Sequence, residues 1–216
     1  MTAVPTLVLG TTNSGKLREL DALLAPLGIP CRSLAGFAAA VEVDETGDSF
    51  AANAALKATQ QAVALGHWVL AEDSGLVVDA LGGAPGIHSA RFSGPADGDP
   101  RPVDERNNAL LLERLAGVPA AARSAHYACH ATLADPHGRI VATSSGVCRG
   151  VIAAGPHGGG GFGYDPLFIV PEYDRTFGQL AAEVKAVISH RARAMRAIIP
   201  AIVRHLRPQL PPAGAR

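Results

Sequence analysis

The chain has 216 residues, 48% of them hydrophobic and 18% charged, with a formal net charge of +0. This excludes intrinsic disorder, which needs low hydrophobicity and high net charge, and any global field that would draw the protein onto nucleic acid or an anionic membrane. The length serves one large domain with a substantial core. No apolar run approaches the roughly 18 residues of a membrane span, and the first residues lack a signal-peptide pattern. Cys31, Cys129 and Cys148 form no CxxC pair, so a reduced, cytoplasmic setting is expected.

Thr6-Leu7-Val8-Leu9 is a short apolar run that ends at Gly10 and predicts a buried strand. Leucines 17, 20, 24 and 27 then recur at helical spacing up to Gly28, a natural helix stop. Ser49 is placed to cap a helix over residues 50–65, with Gly66 beyond it. Residues 68–71 predict a second buried strand closing on Glu72-Asp73-Ser74-Gly75, with residues 76–78 resuming the sheet. Residues 82–102 are rich in Gly, Pro and Asp and predict a long loop, functional or poorly ordered. A helix follows over residues 103–115, then paired strands over 125–133 and 139–151 joined by the turn 135–138. Four glycines at 158–161 precede a strand over 167–170. The last helix spans 189–206 and is expected to be interrupted and kinked at Pro200. Residues 1–208 therefore read as one α/β domain with a mixed sheet flanked by helices, and 209–216 as a disordered tail.

Four constellations can carry chemistry. Gly10-Thr11-Thr12-Asn13-Ser14-Gly15-Lys16 lies between strand and helix and matches GxxxxGK. Backbone N–H groups, a helix N-terminus and Lys16 all suit phosphate there. A P-loop needs Ser or Thr immediately after the lysine to reach Mg²⁺, and Leu17 occupies that place; an ordinary capped turn fits the segment equally well. Next, Glu45 precedes the second helix, on which Asn53 and Lys57 share a face. That carboxylate is placed for a metal, although a solvated polar face is the plainer account.

Glu72-Asp73 stands at a strand's carboxyl end, where ligands of open α/β sheets gather. Such carboxylates, with phosphate oxygens, hold Mg²⁺, and neighbouring carboxylates raise one another's pKa, which suits a general base. An exposed acidic turn is the alternative. The glycine run leads into Phe162, which can stack on a base. Lys185 with Ser189-His190-Arg191 offers cations that favour a purine bearing a 6-oxygen; a flexible loop and a basic helix start explain the same residues. His126 and His130 lack a third ligand at metal spacing and read as no zinc site. Arginine outnumbers lysine 16 to 3, and Lys16, Lys57 and Lys185 all fall in these constellations. A compact ammonium is not interchangeable with a guanidinium.

Taken in order, TTNSGKLREL, ETGDSFAANAALKA, AEDSGLVVDALGGAPGIHSARFSG, GGFGYDPLF and KAVISHR resemble the inosine/xanthosine triphosphate pyrophosphatase family. The likeness runs from Thr11 to Arg191. It implies Mg²⁺-dependent hydrolysis of non-standard purine nucleoside triphosphates (ITP, dITP, XTP) to monophosphate and pyrophosphate. By the same resemblance, Thr11, Thr12, Asn13, Ser14, Gly15 and Lys16 would hold the triphosphate, with Asn53 and Lys57. Glu45 and Asp73 would hold Mg²⁺ with Glu72 nearby, Asp73 would activate water, and Ser74 would touch substrate. Phe162, Gly163, Tyr164 and Asp165 would line the base pocket, and Lys185, His190 and Arg191 would read the base edge. An elongated α/β fold with two lobes around a nucleotide cleft is implied, as is a homodimer.

The chain departs from the family at Ala52-Asn53-Ala54, where Glu-Asn-Ala is frequent, and at Glu183-Val184-Lys185-Ala186, where Glu-Glu-Lys-Asn is frequent. Two other classes compete: a P-loop-like NTPase or kinase, and a non-catalytic nucleotide-binding or RNA-binding module. Ten aromatics without an RNP-type pattern count against RNA.

Overall fold

The computed structural model describes residues 5–207, so the expected tail at 209–216 lies outside the described residues. Strands β1 (Leu7–Leu9), β2 (Cys31–Ser33) and β3 (Trp68–Val78) are joined in parallel, with β1 in the middle. Strands β4 (Ser124–Ala134), β5 (Ile140–Ile152), β6 (Phe168–Val170) and β7 (Arg175–Thr176) extend the sheet antiparallel from β3. The result is one seven-stranded mixed sheet of order β2-β1-β3-β4-β5-β6-β7.

Both faces of the parallel part are covered, as continuous apolar strands require. On one face lies helix α2 (Phe50–Leu65), capped by the Ser49 hydroxyl accepting from Ala52 N–H and ended by Gly66 at φ 63°. Its small residues Ala58 and Ala62 let it lie close against Val8, Val69, Ala71 and Ala134. On the opposite face, helices α1 (Ser14–Leu24) and α5 (His190–Leu206) pack Leu20, Leu24, Met195, Ile198 and Ile202 onto Leu7, Leu9, Leu70 and Leu133. A separate core gathers Leu76, Tyr127, Tyr164, Phe168 and Phe177 with Leu111 of helix α3 (Val103–Arg114). These three cores lie along the one sheet.

Two expectations need correction, and a third is narrowed. Glu72-Asp73-Ser74-Gly75 does not close a strand; it is the middle of the single eleven-residue β3, paired with β4 throughout. Residues 82–102 form the expected long loop but not a poorly ordered one, because they include a 3-10 turn (Gly86–Arg91) tied to β3. There the Ser89 hydroxyl accepts from Leu76 N–H at 2.9 Å and donates to Gly86 C=O at 2.6 Å. Helix α5 is one run from His190 to Leu206 with Pro200 inside it, so the proline does not interrupt the helix. β2, β7 and the seven-residue helix α4 (Ala182–Ile188) had no periodic signal long enough to announce them.

Candidate active site

β1 pairs with β3 only as far as Leu9 opposite Leu70, so β3 continues past the carboxyl end of its parallel neighbour. The β1–α1 turn crosses at that point, and Asn13 caps α1 by accepting from Lys16 N–H at 2.9 Å. Successive strand residues point to opposite faces. Asp73 therefore meets α2, while Glu72 and Ser74 meet α1 and α5.

On the α2 side, Lys57 Nζ donates to Asp73 Oδ1 at 2.9 Å and to Glu45 Oε1 at 3.1 Å. Asn53, one turn before Lys57, donates to Asp73 Oδ2 at 3.4 Å, and its Oδ1 accepts from Gly47 N–H at 2.8 Å, anchoring the segment that carries Glu45. Burial, helped by the Glu45 carboxylate, raises the Asp73 pKa above its ordinary value despite the lysines beside it. Burial pulls Lys57 down, but Asp73 and Glu45 outweigh it and the ammonium is held charged. Glu45 also resists its burial, because Lys57 and Arg91 hold its pKa low. These groups face a cavity of about 500 Å³ that is also lined by Thr11, Thr12, Asn13, Lys16 and Ser74.

The donor set fits Mg²⁺. Glu45 and Asp73 present hard oxygens around one shared cation. Among the described residues no group of three His, Cys, Asp or Glu side chains is assembled to hold a metal. Mg²⁺ characteristically takes one or two carboxylates, with substrate phosphates and water completing its shell. Glu72 points elsewhere.

On the other face, Arg191 is 1% exposed and Glu72 likewise. Arg191 Nε donates to Glu72 Oε1 at 2.9 Å, Nη2 to Ser74 Oγ at 2.9 Å, and Nη1 to Glu19. Lys16 Nζ stands 3.4 Å from Glu72. Burial opposes the Glu72 charge, yet Arg191, Lys16 and Lys57 outweigh it and hold the carboxyl far below the usual carboxylate range. Glu19 also pairs with Lys185 Nζ at 2.7 Å, and the same ammonium bonds Asp165. The result is a chain of alternating charges, Glu72–Arg191–Glu19–Lys185–Asp165, and with Lys16 beside Glu72 its three carboxylates are matched by three cations.

That chain ends at the loop 162–165. Asp165 accepts from Phe162 N–H at 2.9 Å, and Tyr164 O–H donates to Ser89 C=O at 2.8 Å. Two residues of α3 grip Gly163: Asp104 accepts from its N–H at 2.7 Å and Asn108 donates to its C=O at 3.0 Å. The Phe162 ring lies directly on Gly15, where a Cβ would come within 2.7 Å of it; only glycine admits the ring there. Cavities of about 80 and 270 Å³ both have Phe162 in their walls. The smaller shares Asn13, Lys16 and Ser74 with the large cavity, which makes one continuous cleft. His190 also lines it, stacked on Tyr127 at 4.6 Å, with its Nδ1 buried and unpartnered. Burial and the neighbouring Arg191 hold this imidazole neutral.

The structure thus gathers nearly all the sequence-nominated residues along one cleft. Three nominated residues line none of these three cavities: Ser14, which is exposed, and Asn53 and Glu72, which are buried behind the cleft wall. Lys185 and Arg191 arrive already committed to carboxylates. Glu19, Arg91, Asp104 and Asn108 were not anticipated. Glu19 follows Gly15 by one helical turn, a spacing that places it beneath Phe162, but an isolated carboxylate on an amphipathic helix reads as solvent-facing.

Residues 7–201 match the Ham1 family. A dITP/XTP pyrophosphatase of Rhodopirellula baltica is 52% identical over 198 residues, covering 92% of this chain and 93% of the relative. Among solved structures, a HAM1 protein from Coxiella burnetii superposes with TM-score 0.81 at 35% identity, covering 93% of this chain and 99% of that one. A nucleoside-triphosphatase / dITP/XTP pyrophosphatase from Mycobacterium abscessus gives TM-score 0.70 at 39% identity over 91% and 99%. With the fold, the order of the motifs and the cleft all in agreement, the chain belongs to the Ham1 family.

Proposed function

We propose that this protein is a Mg²⁺-dependent nucleoside triphosphate pyrophosphatase that clears non-standard purine nucleotides (ITP, dITP and XTP) from the nucleotide pool. One observation carries the reading: Lys57 and Glu45 meet Asp73 at the middle of β3, in a cavity continuous with the loop of Phe162. Phosphate-binding groups and a stacking ring are thereby spaced along one cleft.

The purine stacks on Phe162, and the triphosphate runs over the β1–α1 turn past Lys16 and Lys57. Mg²⁺, held by Glu45 and Asp73, would supply positive charge to the phosphate oxygens. Asp73 takes the proton as water attacks the α-phosphorus; the bond from that phosphorus to the bridging oxygen breaks, and pyrophosphate leaves. An ionised carboxylate beside the attacking water suits this proton transfer. Preorganised cations, rather than covalent chemistry, do most of the work in such a displacement. Glu72, committed to Arg191 and Lys16, sets the framework behind Ser74.

Product analysis with Mg²⁺ and, separately, ITP, XTP, dITP, GTP and ATP tests this reading. Monophosphate plus pyrophosphate from the first three, with little from ATP and GTP, is the expected result. Diphosphate and inorganic phosphate, chiefly from ATP or GTP, would point to a P-loop-like enzyme. A homodimer, expected from the family resemblance, is checked on the same preparation by light scattering.

A further inference from the structure

Three cations line the large cavity: Lys16, Lys57 and Arg91. Two are occupied. Lys57 is shared by Asp73 and Glu45, and Lys16 faces Glu72. Arg91 is different. Its guanidinium lies 3.6 Å from Glu45 Oε2, beyond hydrogen-bonding distance, and among the described residues none accepts a hydrogen bond from it. Its side chain is 53% exposed. Its backbone, by contrast, is fixed from both sides: Asn107 of α3 donates to the carbonyls of Ser89 and Ala90 at 3.3 Å, and accepts from Ser93 N–H at 2.8 Å. A rigid mount therefore holds an uncommitted five-donor fork at the mouth of a phosphate-sized cavity.

Position along the cleft decides which phosphates it meets. Asn13, Lys16 and Ser74 line both the large cavity and the smaller one at Phe162, so they mark the junction where the α-phosphate lies. Ala90 also lines both cavities, whereas Arg91, which follows it, and Glu45, the carboxylate it faces, line only the large one. A guanidinium matches two phosphate oxygens at once, which an ammonium cannot do.

We propose that Arg91 binds the β- and γ-phosphates, the part of the substrate released as pyrophosphate, by exchanging its loose contact with Glu45 for a forked pair of hydrogen bonds to phosphate oxygens. This deepens the pyrophosphatase reading and rests on it. Arg91 is then a substrate-binding residue that separates triphosphates from monophosphates.

The test compares the wild type with Arg91→Gln and Arg91→Lys. It measures KM and kcat for dITP, and the dissociation constants of pyrophosphate and dIMP by calorimetry in Mg²⁺. Loss of a charge-assisted pair predicts that Arg91→Gln weakens pyrophosphate binding about ten- to hundredfold and raises KM in parallel. The affinity for dIMP stays unchanged, and Arg91→Lys falls between. Unchanged pyrophosphate binding in Arg91→Gln would overturn the proposal. So would an equal loss for dIMP and pyrophosphate, or a fall in kcat with KM unmoved. Because pyrophosphate binding is read directly, the outcome stands apart from the identity of the hydrolysed nucleotide; a wild type that releases no pyrophosphate from dITP would instead overturn the functional reading itself.

Discussion

Glu72 and Asp73 are neighbours on one strand, yet they belong to different parts of the molecule. Glu72 faces inward, 1% exposed, and anchors a buried chain of alternating charges that ends at the base loop. Asp73 faces the cavity and shares Lys57 with Glu45. The same chemical group is driven in opposite directions: its arginine and lysine partners hold Glu72 far below the normal range, while burial beside another carboxylate raises Asp73. An unpaired buried charge is costly, so the framework carboxylate must be fully matched. A proton-accepting carboxylate must be left only partly matched.

The comparison is broken most severely at Asp73. Asp73→Asn should lower turnover of dITP about a hundred- to ten-thousandfold, the range of a lost general base, with thermal stability retained. Near-normal turnover would remove Asp73 from the chemistry. Glu72→Gln inverts the pattern, because it strands Arg191 in the interior. Denaturant titration should show a loss of about 3–5 kcal/mol, the cost of breaking a buried ion pair by removing one partner. A stability within 1 kcal/mol of the wild type would show that Glu72 is not a framework group.

A finer distinction lies in His190, whose folded pKa is held by burial and by Arg191 well below the ordinary imidazole value of 6.5. The unfolded chain takes up a proton as pH falls through 6.5, and the folded chain does not. The stabilisation is therefore complete above that pH and declines below it, by about 1.4 kcal/mol per pH unit. Denaturant curves between pH 6.5 and 5 should show this slope in the wild type and a flatter one in His190→Gln. The smallest effect is expected for Gly15→Ala. Its methyl group displaces the Phe162 ring from 2.7 Å, so KM for dITP should rise severalfold while kcat changes little.

Much of this arrangement was legible in the sequence. The turn 10–16, Lys57 on one helix face with Asn53, and the ordered motifs at 162–165 and 189–191 all converge on the cleft. The division of labour between Glu72 and Asp73 was not legible, because Ser74 and Gly75 gave the segment the look of a turn. A turn would have left both carboxylates together; pairing of β3 with β4 throughout places them on opposite faces. Glu19 and Arg91 were hidden for a related reason. Each is an isolated charge in an amphipathic helix or a Gly/Pro-rich stretch, and only tertiary packing brings one under Phe162 and the other beside Glu45.

The most direct measurement is hydrolysis of dITP with Mg²⁺ in water enriched in heavy oxygen, followed by mass spectrometry of both products. Attack at the α-phosphorus by water activated at Asp73 predicts the label in dIMP and none in pyrophosphate, with Asp73→Asn forming neither at a comparable rate. Label in pyrophosphate, or in released inorganic phosphate, would contradict the account.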